Sequence, residues 1–241
     1  MHHLANTGDG ALLRGPHLTL PGAVEPDPIR HGAVAGEVSG LVAQAAPAFF
    51  RRFYQAVPDE ALRNLDWDAR LDAVAAHAAF ADVRLIAMVP SWSAGLFERV
   101  RGVYARRHGH RPATMAEVWP NLRVFVSGGV ALASYAPLLR EQIGLESLDF
   151  VETYGASEGF FSFTDTPDDP SMRLHLTNGV FYEFVPEAHL RDADPPRLTL
   201  GEVEVGQRYA LHVSTLSGLW AYAVGDFVRF AQTDPPRIVV A

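Results

Sequence analysis

Residues 155–159, Gly-Ala-Ser-Glu-Gly, preceded by Tyr154, have the types and spacing for two different chemistries. Read as G-x-S-x-G, they can form a nucleophile elbow on Ser157. That device needs a strand before the serine, a helix after it, an orienting acid and a later histidine. Residues 148–153 read as the strand, and His175, His189 and His212 come later, but 160–164 has no helical pattern and 165–170 reads as a turn. The second chemistry uses Tyr154 and Glu158. An aromatic ring ahead of a tight glycine turn can stack a planar base against the backbone of Gly155 and Ala156. A carboxylate at a strand's end can hold Mg²⁺, which takes one or two carboxylates and completes its shell with phosphate and water oxygens. Ligands of α/β sheets sit beyond the carboxyl ends of the strands, where this segment falls. An ordinary strand-end turn with a solvated glutamate fits the spacing as well.

A second candidate is 222–226, Tyr-Ala-Val-Gly-Asp. Asp226 comes after a glycine inside a β-rich run, where an acid is out of place unless exposed or paired. A carboxylate there can accept both hydroxyls of a ribose, and a plain Asp-containing hairpin turn is the alternative. Gly128 and Gly129, after Ser127, allow backbone to approach a ligand closely. Arg99, Arg101, Arg106, Arg107 and Arg111, with His108 and His110, form a basic cluster that reads as a solvated helix end, since cations are favoured near a helix C-terminus. His108 and His110 have no acids or thiols nearby in sequence to complete a metal site. Trp67, Trp92, Trp119 and Trp220 read as core or near-core packing.

Composition narrows the chemistry further. There is no cysteine, so disulfides, thiolate nucleophiles and Cys-ligated metals are excluded. There is no lysine either, which removes Schiff-base chemistry and a Walker-A lysine. The 20 basic and 28 acidic residues give a net charge of −8, against the basic face that nucleic acid or an anionic membrane requires. No apolar run approaches the ~20 residues of a membrane span, and no secretory leader is evident, so a cytoplasmic protein is expected.

Periodicity gives the framework that holds these residues. Residues 1–35 are punctuated by glycine and proline and read as irregular or as short extended pieces. Helical spacing runs over 38–53 with a break at Pro47, over about 68–80, over 93–108, and over 133–143 up to Gly144. Residues 83–89, 122–126 and 148–153 read as strands. After Glu158 the pattern becomes alternating or aromatic-rich, in 160–164, 172–176, 180–185, 209–214 and 222–230, with a hairpin turn expected at Gly206-Gln207. The fold class is therefore α/β, with a βαβ-type first half feeding a mixed or antiparallel, β-rich second half.

Six stretches, in order, resemble one family. They are 88–92 (Met-Val-Pro-Ser-Trp), 127–130 (Ser-Gly-Gly-Val), 154–158 (Tyr-Gly-Ala-Ser-Glu), 181–186 (Phe-Tyr-Glu-Phe-Val-Pro), 205–209 (Val-Gly-Gln-Arg-Tyr) and 217–226 (Ser-Gly-Leu-Trp-Ala-Tyr-Ala-Val-Gly-Asp). Together they resemble the auxin-responsive Gretchen Hagen family of acyl acid–amido synthetases, which are adenylate-forming enzymes. The resemblance implies that ATP activates a small carboxylic acid to an acyl-adenylate and that the acyl group passes to an amino acid amine. It places Tyr154 against adenine, Glu158 on Mg²⁺ and Asp226 on the ribose hydroxyls. It covers about 36–241, implying a partial adenylation domain after an irregular segment 1–35.

The departures carry expectations of their own. No Ser/Thr/Gly-rich phosphate loop precedes Gly36, the family continues beyond its third motif into a mobile lid domain, and Ala221 and Ala223 stand where the family commonly has arginine. The chain is thus expected to be a truncated or split member, needing a polypeptide that supplies loop and lid. A non-catalytic remnant binding nucleotide or a partner, and a serine hydrolase using Ser157, are the alternatives.

Overall fold

The computed structural model describes residues 10–166 and 169–241. Its contacts divide it into a unit ending at Phe150 and a unit Val151–Ala241.

The first unit is built on three parallel strands in the order β1 (His17–Thr19), β4 (Leu85–Met88), β5 (Val124–Ser127). Between β1 and β4 come a small antiparallel pair, β2 (Val24–Pro26) and β3 (Val34–Gly36), and four helices. These are α1 (Val38–Gln44), α2 (Ala48–Phe53), α3 (Asp59–Leu62) and α4 (Trp67–Ala78). The break expected at Pro47 is real: the proline is the N-cap of α2, the position its missing N–H tolerates. Asp66 caps α4, its Oδ1 accepting from the Ala69 amide at 2.7 Å. Leu71, Val74, Ala75 and Ala78 of α4 are buried, as their spacing predicts. After β4 a turn at Pro90–Trp92 leads into α5 (Ser93–His108), which ends at Gly109 with φ +75°. That left-handed conformation suits glycine and closes the helix. The core gathers on Trp119, whose Nε1 donates to the Ala78 carbonyl at 2.8 Å and whose ring meets Phe97 edge-on. Gly128 and Gly129 leave β5 in this unit, with Gly129 at φ +84°, and α6 (Ala136–Ile143) comes next.

The second unit is antiparallel. From β6 (Asp149–Ala156), which crosses the boundary, the order is β6-β7-β8-β12-β11-β10-β9. The strands are β7 (Gly159–Phe163), β8 (Met172–Leu174), β9 (Val180–Pro186), β10 (Arg208–Thr215), β11 (Tyr222–Thr233) and β12 (Pro236–Val240). Phe184, Tyr209 and Phe230 pack edge-to-face in its core, with centroids 5.0–6.2 Å apart. Beside them the buried Arg237 pairs with Asp165 and, at 3.1 Å, with Asp169. The α/β first half and antiparallel second half agree with the fold class read from the sequence.

Several expectations are corrected. Within 1–35 the short extended pieces expected are present as β1, β2 and β3, but β1 is part of the parallel sheet, which the pattern does not signal; residues 1–9 lie outside those described. Gly206 and Gln207 form no hairpin. Val205 bridges Phe230 in parallel and the Gly206 amide donates to the Phe230 carbonyl, so the segment joins β11 rather than turning into β10. Trp220 is 83% exposed, not core. Strand β12 is not among the expected strands: Ile238, Val239 and Val240 are β-branched, but Pro235 and Pro236 come directly before Arg237 and prolines remove ladder donors.

Candidate functional site

Residues 154–159 form a β-hairpin. β6 runs through Ala156, Gly159 opens β7, and Ala156 pairs with Gly159, leaving Ser157 and Glu158 at the tip. The segment after Ser157 is a strand rather than a helix, so the support a nucleophile elbow needs is not there. Ser157 is exposed, while Glu158 is partly buried. The register shifts beside Tyr154: Tyr154 faces Ser162, Gly155 faces Phe160, and Phe161 is the extra residue. Phe161 is fully buried and its ring sits 5.1 Å from that of Tyr154 at 59°.

Asp226 is delivered by a second irregularity. β10 and β11 pair at His212–Ala223 and again at Ala210–Phe227, so 224–226 lie opposite Leu211 alone. Gly225 sits at φ +98° within this bulge, a conformation glycine adopts without the penalty a Cβ brings. Bulges re-aim side chains next to functional sites. Here the bulge brings Asp226 to the hairpin: Tyr154 Oη donates to Asp226 Oδ2 at 2.8 Å, across 72 residues of sequence. The alternative of a plain hairpin turn at Gly225-Asp226 is not what forms; the segment is a bulge in a continuous strand, as the β run 222–230 predicts.

The electrostatics tie the three residues together. Tyr154 is 8% exposed. Burial raises the pKa of its phenol far above the ordinary tyrosine value, and the Asp226 acceptor raises it further, with the negative charges of Asp226 and Glu158 adding in the same sense. The phenol is thus a fixed donor to Asp226, and both carboxylates act on one hydroxyl. The resemblance puts the Tyr154 ring against adenine. In the structure that ring packs in the unit's core and its hydroxyl donates to Asp226. Tyr222, on the same strand as Asp226, is half-exposed, as is Phe160 on β7.

The structure brings together Tyr154, Gly155, Ala156, Ser157, Glu158 and, through the bond to Tyr154, Asp226. Gly128 and Gly129 belong to the first unit. The basic cluster is largely paired: Arg99 with Asp68 and Asp72, Arg101 and Arg111 with Glu98, while Arg107 lies over Phe80 at 4.6 Å. His108 stacks on Tyr104 at 4.1 Å. Spacing gives no sign of Phe161 as the wedge that fixes Tyr154; the aromatic run 160–163 is the only signal there.

Known proteins share the fold and part of the sequence. Residues 173–241 match the model of the GH3 family central domain, the family whose motifs the chain resembles. The indole-3-acetic acid-amido synthetase GH3.4 of Arabidopsis thaliana is 34% identical over 125 residues, covering 48% of this chain and 20% of that protein. Among solved structures, the GH3.15 acyl acid amido synthetase matches with a TM-score of 0.71 at 17% identity, covering 98% of this chain and 49% of that one. ATP-bound MatB from Rhodopseudomonas palustris matches at 0.51 and 15%, covering 99% of this chain and 43% of that one. The chain thus spans about half the length of the solved relatives, and its aligned part about a fifth of the curated one.

Proposed function

We propose that this chain, GH3-like in sequence over its central-domain match and along its whole length in fold, is the nucleotide-holding part of an ATP-dependent acyl acid–amido ligase. The observation that carries the reading is the 2.8 Å bond from Tyr154 to Asp226, which joins the two motif segments into one carboxylate-bearing rim with Glu158 in the same field.

In this reading Asp226 accepts from the two ribose hydroxyls, held in place by the Tyr154 hydroxyl. Tyr222 offers the open ring for the base. Glu158, at the hairpin tip, is a donor for Mg²⁺; a lone partly exposed carboxylate suits an ion that keeps phosphate and water in its shell. The ion supplies charge neutralisation on the phosphates. The chemistry asks little else of these residues. The acid's carboxylate oxygen bonds to the α-phosphorus as pyrophosphate leaves, and the amine then forms the amide as AMP leaves. Such displacements depend on positioning and neutralised charge, not on a protein nucleophile. A polypeptide that supplies phosphate-loop and lid contacts is part of the proposal, as is a cytoplasmic setting. Calorimetry of ATP with Mg²⁺ tests it: micromolar binding, about −8 kcal/mol, is expected, with Asp226→Ala and Glu158→Ala each weakening it at least tenfold. Undiminished binding in both folded variants would refute it.

A further inference from the structure

Asn178 is followed by Gly179, and among the asparagines of this chain it alone has glycine next: Asn6 precedes Thr7, Asn64 precedes Leu65 and Asn121 precedes Leu122. The pair lies between β8 and β9, with Asn178 partly buried and Gly179 exposed. Asn178 Oδ1 accepts from the Val180 amide at 3.2 Å. A side chain bonded to the amide two residues on closes an Asx turn. The ring of that turn runs through the Gly179 nitrogen and holds the side-chain carbonyl carbon, Cγ, beside it. The Gly179 N–H donates to no group among the described residues, so it is open to deprotonation by hydroxide, and no Cβ screens its nitrogen.

These are the parts of an intramolecular acyl transfer. Once the Gly179 N–H has lost its proton to hydroxide, the electron pair on nitrogen forms a bond to Asn178 Cγ. The side-chain oxygen takes up the negative charge, where the Val180 N–H already donates to it. The bond from Cγ to Nδ2 then breaks, Nδ2 takes a proton from water and leaves as ammonia, and a succinimide ring remains. Water opens that ring at either carbonyl, which leaves aspartate or isoaspartate at 178. No oxidant, cofactor or further protein group enters. Holding nucleophile and carbonyl together is what makes such a step fast.

We infer that Asn178 is a site of spontaneous deamidation in the folded protein, its side chain presented by the fold to its own backbone. The product cuts a tie within the second unit. As the amide, Nδ2 donates to the Phe160 carbonyl at 2.6 Å and to Tyr182 Oη at 3.1 Å. Tyr182 Oη donates in turn to the His175 carbonyl at 2.9 Å, so towards Asn178 it is an acceptor. A carboxylate has no proton for either oxygen, and its charge stands against both. The link lost joins the turn before β9 to β7, the strand that leaves the hairpin tip at Glu158. The inference uses backbone chemistry alone and stands whether or not the chain holds a nucleotide.

Ageing the full, folded chain at mildly alkaline pH, well below its melting temperature, tests it. Mass spectrometry reads the peptide between Arg173 and Arg191, and chromatography separates its isoaspartate form. Asn64 is the internal control: its Oδ1 accepts from the Asp66 amide at 3.0 Å, the same turn, but Leu65 stands in the place of the glycine. Asn178 is expected to react at least tenfold faster than Asn64, to yield isoaspartate beside aspartate, and to react in the folded chain at least as fast as in guanidinium. Asn178→Asp, which makes one product outright, should melt at a lower temperature than the wild type. Equal rates at Asn178 and Asn64, aspartate without isoaspartate, or a reaction confined to the unfolded chain would each overturn the inference. An Asn178→Asp chain as stable as the wild type would overturn the consequence drawn from it.

Discussion

Replacing Tyr154 by phenylalanine isolates one oxygen atom on which the site geometry turns. A hydrogen bond to a charged acceptor is worth about 1.5–3 kcal/mol. Asp226 is only partly buried, so water recovers some of that, and a net loss of about 1–2 kcal/mol is expected, a factor of roughly 5–30. If Tyr154 serves nucleotide binding by holding Asp226, ATP affinity should fall by that factor in Tyr154→Phe. In an Asp226→Ala background the same change should cost nothing more, because the partner is already gone. Calorimetry of the wild type, both single variants and the double variant gives the full cycle. Stacking of adenine on the ring would survive Tyr154→Phe, since phenylalanine keeps the ring. Unchanged affinity, or an equal loss in both backgrounds, would refute the assignment of Tyr154 as a positioning residue.

The same geometry sets other outcomes. Tyr154 has a raised pKa, so the stability its protonated form contributes is complete below about pH 10 and is lost as pH rises beyond it; alkaline melts should show this, and Tyr154→Phe should flatten it. Asp165 is desolvated, which raises its pKa, but the Arg237 bond and charge outweigh that and lower it, so its contribution is present above about pH 4 and fades as pH falls through the depressed value. Asp165→Ala should destabilise by roughly 3 kcal/mol, Asp169 still pairing with Arg237, as read by urea unfolding. Gly225→Ala should cost about 1–2 kcal/mol, because φ is +98° although nothing stands within 4 Å of the added Cβ. Ser157→Ala should leave both ATP binding and any turnover of a generic ester unchanged; loss of esterase activity would restore the nucleophile reading.

The parts of the fold legible in the sequence are those that local chemistry encodes. The helix over 93–108 is read to the residue because its apolar spacing is unbroken and Gly109 stops it. Pro47 marks its break because the reason is covalent. The hairpin at 154–159 is half legible: the strand before it and the lack of a helix after it show in the pattern, but Gly-Ala-Ser-Glu does not announce a two-residue turn. Glycine is the ambiguous signal. Gly206 and Gly225 both have positive φ, yet one directs the chain alongside β11 and the other makes a bulge, because partner strands decide what a left-handed residue does. Trp220 shows the limit of composition, since an aromatic's burial depends on what packs on it. The Tyr154–Asp226 bond is out of reach, for neither spacing nor propensity encodes a contact made across 72 residues.

The most direct measurement of the central claim compares ATP with 2′,3′-dideoxy-ATP, both with Mg²⁺, on the wild type and on Asp226→Ala. If Asp226 holds the ribose hydroxyls, the dideoxy nucleotide binds the wild type at least tenfold more weakly than ATP, and the two bind the variant equally. Equal binding to the wild type, or a preference for ATP that survives in the variant, would contradict the account.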